Sequence, residues 1–177
     1  MKLIFSLFLI LSLSKVVGQG FYGFSYTALN GSTTSTSAFA GKRVIIFAFA
    51  GGHPDTSMLR YMDSLYIQRQ DSIAVIAFPA LDLDSTVTTS GLTNLWASMH
   101  LHMNVAQPVA VQKSSGTNQH PLFQWLTTMD QNTHFGRDVE SDGQLFVISK
   151  KGSLYAVIIK NGGRPVLPGV MSMNTNE

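Results

Sequence analysis

The stretch Gly41-Lys42-Arg43-Val44-Ile45-Ile46-Phe47-Ala48-Phe49-Ala50-Gly51-Gly52-His53-Pro54-Asp55-Thr56 constrains the fold more than any other part of the chain. Its continuous apolar run ends in two glycines and reads as a strand buried on both faces, followed by a sharp turn into a helix. Pro54 is expected in the first helical turn, where only an already unpaired N–H is lost. Leu59, Met62 and Leu65-Tyr66 then keep helical spacing to about Arg69, and Asp71-Ser72 ends the helix. Ile73 to Phe78 is a second buried strand, stopped by Pro79. Strand, helix and strand at this spacing form a βαβ unit, whose handedness makes the two strands parallel in one sheet. The turn at Gly51 to Asp55 and the loop at Pro79 to Asp84 therefore open on one edge, outside the carboxyl ends of the strands, where α/β proteins hold their sites.

Around this unit the punctuation is regular. Phe24 to Leu29 and Thr33 to Thr36 flank Asn30-Gly31, a hairpin signal because both positions tolerate positive φ. Asp84 to Gly91 reads as a Ser/Thr-rich loop, Leu92 to Met99 as a helix, and Val105 to Val111 as an extended segment interrupted by Pro108. Ser114 to Asn118 is a turn-rich loop before a helix over Pro121 to Met129, and Asn132 to Asp142 is polar and irregular. Leu145 to Ile148, Ser149-Lys150-Lys151-Gly152 and Leu154 to Ile159 form an antiparallel hairpin, and Gly162 to Gly169 closes the domain.

Met1-Lys2, the apolar run Leu3 to Leu13 and the small-residue exit at Val16-Val17-Gly18 have the order of a secretory signal. The run is too short for a bilayer span, which needs ~20 residues. Residues 1–18 are thus expected to be removed, leaving 19–177 as a single domain, exported to a periplasm or to the extracellular space, with no stable membrane anchor. Lys2 and Lys15 leave with the leader, which makes the remaining basic residues of the original 12 equal in number to the 10 acidic ones. No Lys/Arg cluster remains to suggest nucleic acid. The chain has no cysteine, so neither a disulfide nor a thiolate is available to it.

Several local patterns, in order, resemble the glutathione peroxidase family, whose fold is thioredoxin-like. Phe24-Ser25 through Asn30-Gly31 to Phe39-Ala40-Gly41-Lys42 is similar to that family's amino-terminal hairpin and its entry into the first core strand. Phe47 to Thr56 stands where the family has Asn-Val-Ala-Ser-x-Cys-Gly-x-Thr, and Leu65-Tyr66 falls at its Leu-Tyr. Ala77-Phe78-Pro79 resembles its Gly-Phe-Pro, Val105-Ala106-Gln107-Pro108 its Val-x-Phe-Pro, and His120-Pro121-Leu122-Phe123-Gln124-Trp125-Leu126 its His-Pro-Leu-Tyr-x-x-Leu helix. Phe146-Val147-Ile148 with Lys151-Gly152 fits its final hairpin. The resemblance covers roughly Phe21 to Ile159 and implies an α/β thioredoxin-like sandwich: a central mixed β-sheet flanked by helices, with an N-terminal β-hairpin.

The departures fall on the chemistry that the resemblance implies. His53 stands at the peroxidatic cysteine or selenocysteine, Asp82 at the family's glutamine, and Ser141 and Asp142 near its Trp-Asn pair. A thiol peroxidase attacks the O–O bond with a thiolate held among neutral N–H donors. Imidazole is no reversible sulfur nucleophile, and a carboxylate in place of an amide disfavours a neighbouring anion. Thiol peroxidase activity is therefore expected to be absent, with a binding or structural role for an unidentified protein or small-molecule partner and no cofactor. The alternative is a peroxide-directed or other oxidative-stress enzyme with a non-thiol or metal-assisted site around His53 and Asp82. His53, Asp55, Asp82 and Asp84 could together hold a divalent ion such as iron, manganese or magnesium. The simpler reading is that His53 helps cap the helix and the aspartates are solvated loop residues. His100 and His102 form a second pair, read first as exposed residues at a helix end. His120 and His134 are expected in turns, and Met58, Met62, Trp96 and Trp125 in the core.

Overall fold

A computed structural model describes residues 20–159. The expected leader, residues 1–18, and the expected closing segment, Gly162 to Gly169, lie outside the described residues. The amino-terminal hairpin pairs β1 (Ser25–Thr27) with β2 (Thr33–Ser35) antiparallel. Both strands are shorter than expected, because Thr36 turns its hydroxyl back to the carbonyls of Phe21 and Phe24 and opens a 3-10 turn over Thr36–Phe39.

β3 (Arg43–Phe49) and β4 (Ile73–Pro79) are parallel, in register from Arg43 opposite Ile73 to Phe49 opposite Pro79. Between them α1 (Thr56–Arg69) supplies the crossover. Its start corrects the sequence expectation: Pro54 precedes the helix, and Asp55 caps it by accepting from the N–H groups of Ser57 and Met58 at 3.0 and 3.1 Å. A carboxylate satisfies two otherwise orphaned donors, which a proline cannot do.

α2 (Thr89–Met99) begins before Leu92 because Thr88 caps it through Gly91 N–H, so part of the Ser/Thr-rich loop is its first turn. β5 (Asn104–Val105) is brief, and beyond it the chain makes only single bridges, Val109 with Ala80 just past β4 and Ala110 with Gln119. Pro108, lacking an N–H, interrupts the ladder there. The segment Lys113–Asn118 forms 3-10 turns. The expected helix over 121–129 is two helices, α3 (Pro121–Thr127) and α4 (Met129–Asn132), broken at Thr128, whose backbone is extended. Asn132 holds the break: its buried amide donates to the carbonyls of Trp125, Leu126 and Phe135. β6 (Gln144–Ile148) and β7 (Leu154–Ile158) form the last hairpin.

The sheet order is β5-β4-β3-β6-β7, parallel across β5-β4-β3 and antiparallel across β3-β6-β7, a mixed sheet. Alternation along β3 sends Val44, Ile46 and Ala48 to one face and Ile45, Phe47 and Phe49 to the other. The first face packs on α3, through Phe123 and Leu126, and on Phe21 and Tyr26 of the amino-terminal region. The second packs on Met58, Leu59 and Met62 of α1 and on Leu92 and Trp96 of α2. Each fully buried large side chain contributes roughly 1.5–3 kcal/mol. A core enclosed on both sides of the sheet, with no disulfide to help it, is the means of stability. Among the described residues no helix is long and apolar enough to cross a membrane.

Candidate functional site

The carboxyl ends of β3 and β4 meet where the sequence places the site. Gly51 and Gly52 are required there by close approach: a Cβ on Gly51 would lie 2.5 Å from Val87 Cγ2 and 3.0 Å from Pro79 Cβ. A Cβ on Gly52 would run into Thr86 Oγ1 and lie 2.6 Å from Asp84 Oδ2. The loop after β4 is thus pressed onto the turn after β3.

That approach brings two of the named residues together. His53 Nδ1 lies 3.1 Å from Asp84 Oδ2; the imidazole is 82% exposed and the Asp84 side chain only 10%. Asp84 also accepts from the hydroxyl and the N–H of Thr86 at 2.6 and 2.9 Å. These two bonds, first that of the hydroxyl, and the imidazole beside it bring its pKa from 3.8 down to about 2. An ionised Asp84 fixes the proton of a neutral imidazole on Nδ1 and leaves Nε2 free to accept. The arrangement can take up or deliver a proton, and the carboxylate disfavours any anion placed beside it.

The other named residues face elsewhere. Asp82 takes the N–H groups of Val111 and Gln112, and at 2.6 Å the hydroxyl of Ser115, so it clamps the segment after β5. Asp55 is the cap of α1. Asp142 accepts the N–H of Ala50 at 2.8 Å and ties the approach to β6 to the end of β3. Ser141 Oγ is buried with no hydrogen-bond partner among the described residues. Of the candidates His53, Asp55, Asp82 and Asp84, the structure brings only His53 and Asp84 together, and Asp55 rather than His53 caps α1. Among the described residues no three His, Asp or Glu side chains are placed to hold a metal ion.

Of the remaining histidines, His120 caps α3, its Nδ1 accepting from Leu122 N–H at 3.2 Å, and its ring packs on Phe78 and Phe123. Burial lowers its pKa. His134 sits in the turn held by Asn132, whose Oδ1 accepts its N–H. His100 ends α2 in the left-handed conformation, φ 54°. His102 faces Asp63, a buried carboxylate of α1 that sequence reasoning passed over. The signal was present: Asp63 lies four residues after Leu59 and beside Met62, on the apolar side of the helix, where a charge must have partners. Met58, Met62, Trp96 and Trp125 are core residues.

The architecture is thioredoxin-like, a mixed five-stranded sheet flanked by helices with a separate two-stranded antiparallel hairpin. Among solved structures, Trgpx is similar over 86% of this chain and 93% of its own, with TM-score 0.64 and 18% identity. GPX1 of T. cruzi matches over 82% and 89%, with TM-score 0.59 and 17% identity. A secreted disulfide oxidoreductase of Mycobacterium tuberculosis matches over 83% and 90%, with TM-score 0.54 and 7% identity. No protein-family model and no curated protein sequence matches the chain. The likeness is therefore one of fold, carried by a chain without cysteine.

Proposed function

We propose that the chain is an exported domain on a glutathione peroxidase scaffold that has lost thiol peroxidase catalysis and serves a binding or structural role. The observation that carries this reading is the state of position 53: an exposed imidazole on an ionised aspartate, in a chain with no sulfur nucleophile. The neighbouring polar groups are occupied in holding the fold, Asp82 on 111–115, Asp142 on Ala50 and Asp55 on α1. The surface left for a protein or small-molecule partner is the edge formed by Gly51 to Asp55 and the loop after β4. Export rests on the leader-like residues 1–18.

The test is peroxide consumption by purified residues 19–177 with glutathione or thioredoxin as reductant. No turnover above the denatured control is expected, and turnover that is lost in His53→Ala would overturn the proposal. The contact between His53 and Asp84 favours one second reading, a proton-transfer site that acts on a bound substrate through Nε2. Under it, Asp84→Asn and His53→Ala would lower the same activity.

A further inference from the structure

The amino-terminal hairpin turns through Leu29, Asn30 and Gly31, and Asn30 is exposed at its tip. Gly31 N–H on the Ala28 carbonyl and Ala28 N–H on the Ser32 carbonyl, both at 2.8 Å, close the turn. Gly31 takes the left-handed position, φ 86°, that a three-residue hairpin loop assigns to glycine. Asn30 adds two side-chain bonds: its Oδ1 accepts the N–H of Ser32 at 3.0 Å and the Ser32 hydroxyl at 2.7 Å.

Two donors on one amide oxygen do more than hold a turn. They draw electron density from Asn30 Cγ, and they stand where negative charge develops on Oδ1 when a nucleophile adds to that carbon. The nucleophile is next in the chain. The backbone nitrogen of Gly31 closes a five-membered ring with Cγ, and glycine has no Cβ to obstruct the approach. In the closed turn that N–H is held by Ala28, so ring closure requires the turn to open. Opening costs little here, because β1 and β2 have three residues each and form a two-stranded sheet of their own. The bonds from Ser32 to Asn30 span only two residues and persist when the contacts of Ala28 part.

We propose that Asn30 is a site of spontaneous modification through a succinimide. Gly31 N bonds to Asn30 Cγ, the Cγ–Nδ2 bond breaks, and Nδ2 leaves as ammonia with the proton of the Gly31 amide. Water then opens the ring. Attack at Cγ leaves aspartate; attack at the main-chain carbonyl carbon leaves isoaspartate, in which the chain runs through the former side chain. Nothing is oxidised or reduced, and water is the co-reactant. Either product places a carboxylate at the tip, and isoaspartate also adds one main-chain atom to the three-residue loop. The hairpin is joined to the sheet edge by Leu29 N–H on the Val105 carbonyl and Gln107 N–H on the Thr27 carbonyl, so the longer loop loosens the cover of β5. The site is separate from the β3 edge and does not depend on the function proposed for it.

The experiment is incubation of the purified chain at mildly alkaline pH over days, then cleavage after lysine and mass spectrometry of the peptide that ends at Lys42. The other Asn-Gly pair, at 161–162, falls in a separate peptide that begins at Asn161. Two chromatographically distinct acidic products at Asn30 are expected, formed at a rate within roughly tenfold of that in the same chain unfolded in urea. Ser32→Ala removes the hydroxyl donor and is expected to slow ring closure roughly fivefold. Hydrogen exchange at the Gly31 amide reports turn opening in each chain, so that ring closure is compared at equal opening. Asn30→Gln, whose ring would have one more member, is expected to give no product in the same time. Absence of product at Asn30 in the folded chain would overturn the proposal. So would a rate more than roughly tenfold below that in urea, or an unchanged ring-closure rate in Ser32→Ala.

Discussion

His120 shows how one side chain can serve as both a cap and a liability. Its Nδ1 accepts from Leu122 N–H, and its ring packs on Phe78 and Phe123, so the folded protein holds the imidazole neutral and burial lowers its pKa. The unfolded chain binds a proton below about pH 6.5 that the folded chain binds only at lower pH. Stability contributed by this group is therefore complete above about pH 6.5 and declines as pH falls from there toward the lower folded value. Asparagine can cap the same helix without titrating. Urea unfolding between pH 5 and 8 should show that His120→Asn removes this part of the acid-side slope while the helix content of the far-ultraviolet spectrum persists. An unchanged slope would assign it to other groups. At the same scale, the sequence placed His53 and the acidic residues on one edge, yet the direction of each carboxylate depends on loop paths that no spacing rule encodes. Asp84 turns to His53 because Thr86 and the two glycines bring its loop in, whereas Asp82 turns to the backbone of 111–112.

At the scale of elements, β3, β4 and β6 were legible because a strand buried on both faces must be continuously apolar. The N-terminus of α2, the anchoring of 111–115 and the break between α3 and α4 were not. Each depends on a side-chain bond: Thr88 to Gly91 N–H, Asp82 to the N–H groups of Val111 and Gln112, and Asn132 to the carbonyls at the end of α3. Asp82 gives the clearest test. It receives two backbone N–H groups and one hydroxyl from 111–115, so Asp82→Ala leaves three donors without their acceptor. A loss on the order of 2–4 kcal/mol is expected, with faster hydrogen exchange at the amides of 111 and 112. A stability change within the range of ordinary surface substitutions, about 0.5 kcal/mol, would contradict the clamp.

For the whole molecule, a three-layer thioredoxin-like core persists without any sulfur chemistry. The order of strands and helices carries that fold, and the resemblance seen in Phe47 to Thr56 and in His120 to Leu126 lies on the elements that build it. The central claim is that the site has lost the surroundings of a reactive thiol as well as the thiol. Restoring sulfur alone should then fail: in His53→Cys the carboxylate of Asp84 would stand beside the new thiol and disfavour its thiolate. The measurement is the rate at which His53→Cys consumes hydrogen peroxide across pH 5 to 9. The account predicts a thiol titrating at or above about 8.5 and a rate no faster than that of an unactivated cysteine. A thiol pKa well below that value with rapid peroxide consumption would contradict it, because the peroxidase environment would then be intact around His53.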